Sequence, residues 1–278
     1  MSKILCRSLL LIALLVAPVA ARAEDKLDQI KASGKLTVGI RTDTKPFGFR
    51  NEKGETLGFE HDLVADLVTR LQAKLGRLIN VEKMPVTARN RMQFLQQGAI
   101  DLLIATMNDT PERREIIDIV DPGYYASGVT LLALKANHVT EWEGLKGKWV
   151  FTLEGAWYNK EFTKQYGFDA QTFVGRAGAT EAALANRCIG FLDDDTHAIG
   201  VLQDPEMRKV MEMPLKTQSY VPWGAAVRLG NPLFHSFVAD TIADWHRTGL
   251  IIELEKKYDI PPSSWAQQMH DKYAATQK

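Results

Sequence analysis

The stretch ATMNDTPERRE, residues 105–115, puts Arg113 and Arg114 side by side in the first turn of a helix expected to open at Thr110 and Pro111. A helix N-terminus already carries about half a positive elementary charge, so cations are misplaced there unless something negative is brought to them. The neighbouring residue types suit an anion. Thr106 and Asn108 offer hydroxyl and amide groups, Thr110 suits the cap, and Pro111 suits the first helical position. The Arg113 guanidinium can fork onto a carboxylate through two parallel hydrogen bonds. The alternative is that Arg113 and Arg114 are solvated or pair with Glu112 and Glu115. Catalytic signatures are missing: there is no Gly-x-Ser-x-Gly elbow, Ser-x-x-Lys, phosphate loop or dinucleotide fingerprint. The six histidines, at 61, 138, 197, 235, 246 and 270, show no metal-ligand spacing, and Cys188 within an apolar run reads as packing rather than as a nucleophile. Neither a metal nor a cofactor is expected.

The elements that must position these residues alternate. KLTVGI (35–40) reads as a buried strand, and FEHDLVADLVTRLQAKLG (59–76) has apolar residues at helical spacing. A strand near 79–84, a helix over about 87–97 ended by Gly98, and a strand IDLLIAT (100–106) follow. The same grammar restarts at KWVFTL (148–153), with a helix over 156–167, a strand over 171–175, a helix over 180–187 and a strand CIGFLDD (188–194). WGAAVRLG (223–230) and two helical stretches come last. Repeated strand and helix imply an α/β fold of mostly parallel sheets, and two similar runs imply two lobes. If the last segment returns to the first lobe, the lobes are 24–127 with 222–278, and 128–221, joined by crossings near 125–132 and 217–225. Two crossings make a hinge. In open parallel sheets ligands sit outside the carboxyl ends of strands, where ATMNDTPERRE falls.

Residues 1–23 have a charged start (Lys3, Arg7), the apolar run Leu9 to Val16 and the small-x-small end Ala21-Arg22-Ala23, which predicts a signal peptide cleaved after Ala23. Cys6 precedes the apolar run, so a lipid-anchored Cys is not expected. Cleavage would remove Cys6, leave Cys188 without a disulfide partner, and place the chain in the periplasm. The full chain balances 34 basic against 34 acidic residues; losing Lys3, Arg7 and Arg22 leaves 31 against 34. A net charge near minus three argues against a nucleic-acid partner.

Gly58-Phe59-Glu60-x-Asp62-Leu63, Gly98-x-x-Asp101-Leu102-x-x-Ala105-x-Met107, Thr110-Pro111-Glu112-Arg113 and Ala226-Val227-Arg228-x-Gly230-Asn231-Pro232 resemble the polar amino acid class of periplasmic solute-binding proteins of ABC transporters. Pro85-Val86-Thr87-x-x-Asn90-Arg91, Arg41 six residues before Phe47, and Ile260-Pro261-Pro262 are similar to the glutamate and aspartate binders. The resemblance implies a two-lobed type II periplasmic binding protein fold, a monomer that takes an amino acid in its cleft, and a membrane permease as partner. It also implies that Arg113 holds the ligand's α-carboxylate with Thr106 and Asn108, that Asp194 meets the α-ammonium, and that Arg41 and Arg91 grip a side-chain carboxylate. The bland counterpart is that Arg41 and Arg91 are surface charges and that Asp193, Asp194 and Asp195 only open a helix.

Two departures stand out. Gly155-Ala156-Trp157 replaces the family's Gly-Thr-Thr, so only backbone N–H groups at that helix start, with Trp157 or Tyr158 as cover, remain for a ligand. Thr44-Lys45 stand before Pro46-Phe47 where an aromatic is common. Transport ranks first among the functions. A ligand-sensing partner of a membrane receptor comes second. An exported cyclohexadienyl or arogenate dehydratase, with Glu154 as general acid, comes third.

Overall fold

The computed structural model describes residues 24–275, so the expected signal peptide lies outside the described residues. The chain opens with α1 (Lys26–Ser33), β1 (Lys35–Ile40) and a small antiparallel sheet of β2 (Asp43–Thr44), β3 (Gly48–Arg50) and β4 (Thr56–Leu57). Then come α2 (Phe59–Leu75), β5 (Asn80–Pro85), α3 (Arg91–Gln96), β6 (Leu102–Leu103) and α4 (Pro111–Arg114). A long β7 (Asp118–Leu134) leads to β8 (Trp149–Leu153), α5 (Asn159–Tyr166), β9 (Asp169–Phe173), α6 (Arg176–Leu184), β10 (Gly190–Asp194), α7 (Asp195–Leu202), α8 (Pro205–Val210) and β11 (Met211–Glu212). Finally β12 (Gln218–Val227) returns, followed by α9 (Pro232–Thr248), α10 (Leu250–Lys257) and α11 (Ser264–Ala275).

Helix α2 shows why the pattern folds as it does. Phe59, Leu63, Val64, Leu67 and Leu71 are buried along one stripe, and Gly76 ends the helix at φ 65°, where a side chain would be strained. The parallel pairs β1 with β5 and β6, and β8 with β9 and β10, follow the expected strand-helix grammar. The two lobes nevertheless do not carry separate sheets. One sheet runs in the order β5-β1-β6-β12-β7-β10-β8-β9, because β7 and β12 pair antiparallel with each other and stitch the two parallel groups together.

The core divides with the chain. Two clusters draw on residues between 27 and 266 outside the middle segment, centred on Phe47, Leu67 and Trp245 and on Leu95 and Met107. Two others draw only on residues between 129 and 215. Strands β7 and β12 pass from one group to the other, from the pair Val227 and Asp118 to the pair Gln218 and Val129. Their register slips twice on the way, between Gln218 and Val221 and between Trp223 and Ala225, and each carries a proline, Pro122 and Pro222. Bulges and prolines are where a strand pair bends most easily.

Candidate functional site

Strand ends on both lobes converge on one cavity. Arg41 follows β1, the loop 104–110 follows β6, the turn 154–158 follows β8, Arg176 comes shortly after β9, and Asp194 is the last residue of β10. Arg41, Arg91, Thr106, Asn108, Arg113, Arg176 and Asp194 all line this small, largely enclosed cavity. A wider, more open surface groove lies beside Lys45, Leu202 and Tyr258, but none of the buried groups lacking a hydrogen-bond partner lines it.

Arg41 and Arg91 are 0% and 3% exposed, so they are not surface charges. Arg41 pairs through Nη2 with Asp43 at 2.7 Å, while its Nη1 is buried without a partner. Arg91 donates Nη1 to the carbonyls of Ala105 (2.6 Å) and Thr106 (3.1 Å), and its Nε has no partner. Burial and then the neighbouring Arg113, Arg41 and Arg176 push the Arg91 pKa well down, with Asp194 opposing. A guanidinium does not shed its proton in proteins, so this cost persists as an attraction for an anion. Arg113 donates to the Asn108 carbonyl (2.6 Å) and, across the cleft, to the Gly155 carbonyl (3.2 Å).

Asp194 accepts from Ser127 Oγ (2.8 Å) and from Arg176 Nη2 (2.8 Å). Ser127 in turn accepts from Asn108 Nδ2 (3.0 Å) and Trp223 Nε1 (2.7 Å), which ties the hinge strands to the cavity wall. Burial and the adjacent Asp193 raise the Asp194 pKa, with Arg176 opposing. Burial would raise Asp193 as well, but the Arg176 fork on both its oxygens holds it below its ordinary value. The third acid of the run, Asp195, faces away and accepts from Gly128 N–H (3.1 Å).

Several expectations need correction. Thr110 makes no side-chain cap, and α4 is a single turn whose arginines diverge: Arg113 points into the cavity, whereas Arg114 pairs with Asp109 and Asp121 rather than with Glu112 or Glu115. The helix expected from residue 156 starts at Asn159, and the Ala156 N–H already donates to the Leu153 carbonyl, so no helix start is presented at Gly155. Trp157 packs against the lobe core instead of lining the cavity; Ala156 and Tyr158 line it. Glu154 does not line it either, being 39% exposed and paired with Arg89 at 3.3 Å. Cys188 is buried and free, and burial raises its thiol pKa to about 11, which suits packing.

Two residues of the site were missed. Arg176 opens α6 directly after a strand, so it poses the same electrostatic question as Arg113, and that signal was available. Ser127 stands in an apolar crossing strand, where a lone hydroxyl beside Gly128 was the only cue.

Residues 36–260 match the bacterial extracellular solute-binding proteins, family 3. The chain belongs to that family. Among its relatives is the L-glutamate/L-aspartate-binding protein of Pseudomonas aeruginosa, 27% identical over 264 residues that cover 90% of this chain and 86% of that protein. The ABC transporter glutamine-binding protein GlnH of Bacillus subtilis is 26% identical, covering 84% of this chain and 85% of that one. A mutant of the arginine-binding protein of T. maritima has the same type II fold, with a TM-score of 0.75 at 24% identity, covering 84% of this chain and 99% of that one. Cystine and arginine binders also occur among the relatives, and an ancestral amino acid-binding protein that is a precursor of cyclohexadienyl dehydratase is among the structural neighbours. Members of this solute-binding family are thus matched to several polar amino acids, and the cavity itself must decide among them.

Proposed function

We propose that this family 3 solute-binding protein is a periplasmic monomer that captures an acidic amino acid, glutamate or aspartate, and delivers it to the membrane permease of an ABC transporter. The observation that carries the choice of ligand is the pair of buried cationic donors, Arg41 Nη1 and Arg91 Nε, on cavity-lining residues with nothing to bond. A ligand carboxylate satisfies both and relieves the repulsion among Arg41, Arg91, Arg113 and Arg176. On this reading Arg113, Thr106 and Asn108 hold the α-carboxylate and Asp194 holds the α-ammonium. The segments 24–127 with 222–278, and 128–221, close on it as the two lobes. The relatives named for glutamate and aspartate support the same choice. Glu154, the general acid expected for a dehydratase, is exposed, paired with Arg89 and outside the cavity.

A thermal-shift screen against glutamate, aspartate, their amides, cystine and arginine tests the assignment, since a ligand at a hundred times its dissociation constant adds about 2.7 kcal/mol. Glutamate or aspartate should give the largest shift. A larger shift with glutamine or asparagine would overturn the acidic assignment.

A further inference from the structure

Thr106 has φ +46°, in the left-handed region, and it is 2% exposed. A β-branched residue there is strained by about 1–3 kcal/mol and persists only where its surroundings hold it. The holding groups can be named. The Thr106 N–H donates to Glu60 Oε1 at 2.5 Å and lies 3.1 Å from the Tyr124 hydroxyl, which itself donates to Glu60 Oε1 at 2.5 Å. On its other side the Thr106 carbonyl accepts from Arg91 at 3.1 Å. Glu60 comes from the first turn of α2, is fully buried, and does not line the cavity. Thr106 does line it, and its Oγ1 is buried with no partner.

We propose that Glu60 is a positioning residue for the ligand site: its carboxylate pins the Thr106 peptide in the left-handed conformation that offers the Thr106 hydroxyl to the ligand. Burial raises the Glu60 pKa, while the bonds from Tyr124 and Thr106 and the nearby Arg41 and Arg91 oppose that rise. A carboxyl buried to 0% exposure is costly to keep, and Leu would fill the space without that cost. The hold on Thr106 accounts for an acid at this position. The inference rests on the ligand site proposed above, but part of its test does not.

Calorimetry with glutamate and aspartate on Glu60→Leu should show a loss of about tenfold or more, as expected when a charge-assisted hydrogen bond is removed. Glu60→Gln, which keeps an acceptor for the Thr106 N–H, should stay within about threefold of wild type. Glycine adopts a positive φ without strain and has no hydroxyl to aim, so in a Thr106→Gly background the Glu60→Leu loss should shrink to about threefold or less. Equal losses in both backgrounds would mean that Glu60 acts on the fold at large and would overturn the proposal.

A second measurement needs neither ligand nor Glu60→Leu. In the amide spectrum of the free protein, the Thr106 proton should lie far downfield because it donates to a carboxylate, and Glu60→Gln should move it upfield. An unmoved Thr106 amide would overturn the pinning even if the protein bound no amino acid. Absence of glutamate and aspartate binding with a shifted amide would count only against the ligand assignment.

Discussion

Arg91 and Arg113 are both buried cavity arginines, yet they should fail differently when removed. Loss of one partner from a desolvated pair costs about 3–5 kcal/mol because the other charge is left alone, which is about a hundredfold or more in affinity. On the proposed assignment Arg91→Ala and Arg41→Ala strand the ligand's side-chain carboxylate, so calorimetry should show large losses for glutamate and aspartate and smaller ones for their amides. Every α-amino acid keeps its α-carboxylate, so Arg113→Ala should abolish binding of all of them. If Arg91→Ala left glutamate and aspartate within about threefold of wild type, the side-chain carboxylate would have to lie elsewhere. Asp194→Ala should penalise the amino acid far more than the matching dicarboxylate without an ammonium, and equal losses would reduce Asp194 to a partner of Ser127 and Arg176. At this scale the sequence is informative where an arginine follows the end of a strand: Arg113 after β6 and Arg176 after β9 are both legible for that reason, whereas α4 is too short for its polarity to single out Arg113 over Arg114. Trp157 was misplaced because a one-turn error in where α5 begins rotates every side chain of that turn.

Among elements, those with several residues of clear period were readable: β1 was expected over the residues it occupies, and α2 ends within one residue of its expected limit. The small sheet β2-β3-β4 was not, since strands of two or three residues show no alternation to detect. The strand expected over 100–106 shrinks to Leu102–Leu103, and the chain turns at Thr106, whose φ is +46°. Helix α7 was noticed only as an acidic start, and its first residue gives a prediction of its own. Burial raises the Asp195 pKa from 3.8 to about 6. The folded state therefore holds that proton more tightly than the unfolded one, so the contribution is most favourable below about pH 4 and is lost as pH rises through about 6. Asp195→Asn removes the cost of ionisation and keeps an acceptor for the Gly128 N–H. Melting curves should show the variant more stable than wild type by about 1–3 kcal/mol at neutral pH, with the gap closing toward pH 4. A gap that did not change with pH would show that the Asp195 charge carries no such cost.

For the whole molecule, a two-lobed design was legible from the restarted strand-helix grammar, but the single sheet through the hinge was not, since pairing of β7 with β12 joins residues about a hundred positions apart that no local pattern relates. The structure is closed, with Arg113 on the Gly155 carbonyl at 3.2 Å, Arg176 on Thr44 Oγ1 at 2.9 Å, and Arg89 on Glu154. Another close approach lies away from the candidate cavity. A Cβ on Gly200 of α7 would stand 1.9 Å from the Lys45 carbonyl oxygen on the opposite lobe, where the obstacle is backbone and not a movable side chain. In an open form that contact is released, and alanine is the better helix former by about 1 kcal/mol. Gly200→Ala should therefore leave the free protein at least as stable, yet oppose closure by the roughly 1–3 kcal/mol typical of overpacking, a loss of about tenfold in affinity. Small-angle scattering should show the wild type contracting when glutamate or aspartate is added and Gly200→Ala contracting less at saturation. A variant that bound and contracted like wild type would show that α7 slides past Lys45, and that closure is set by the arginine contacts alone.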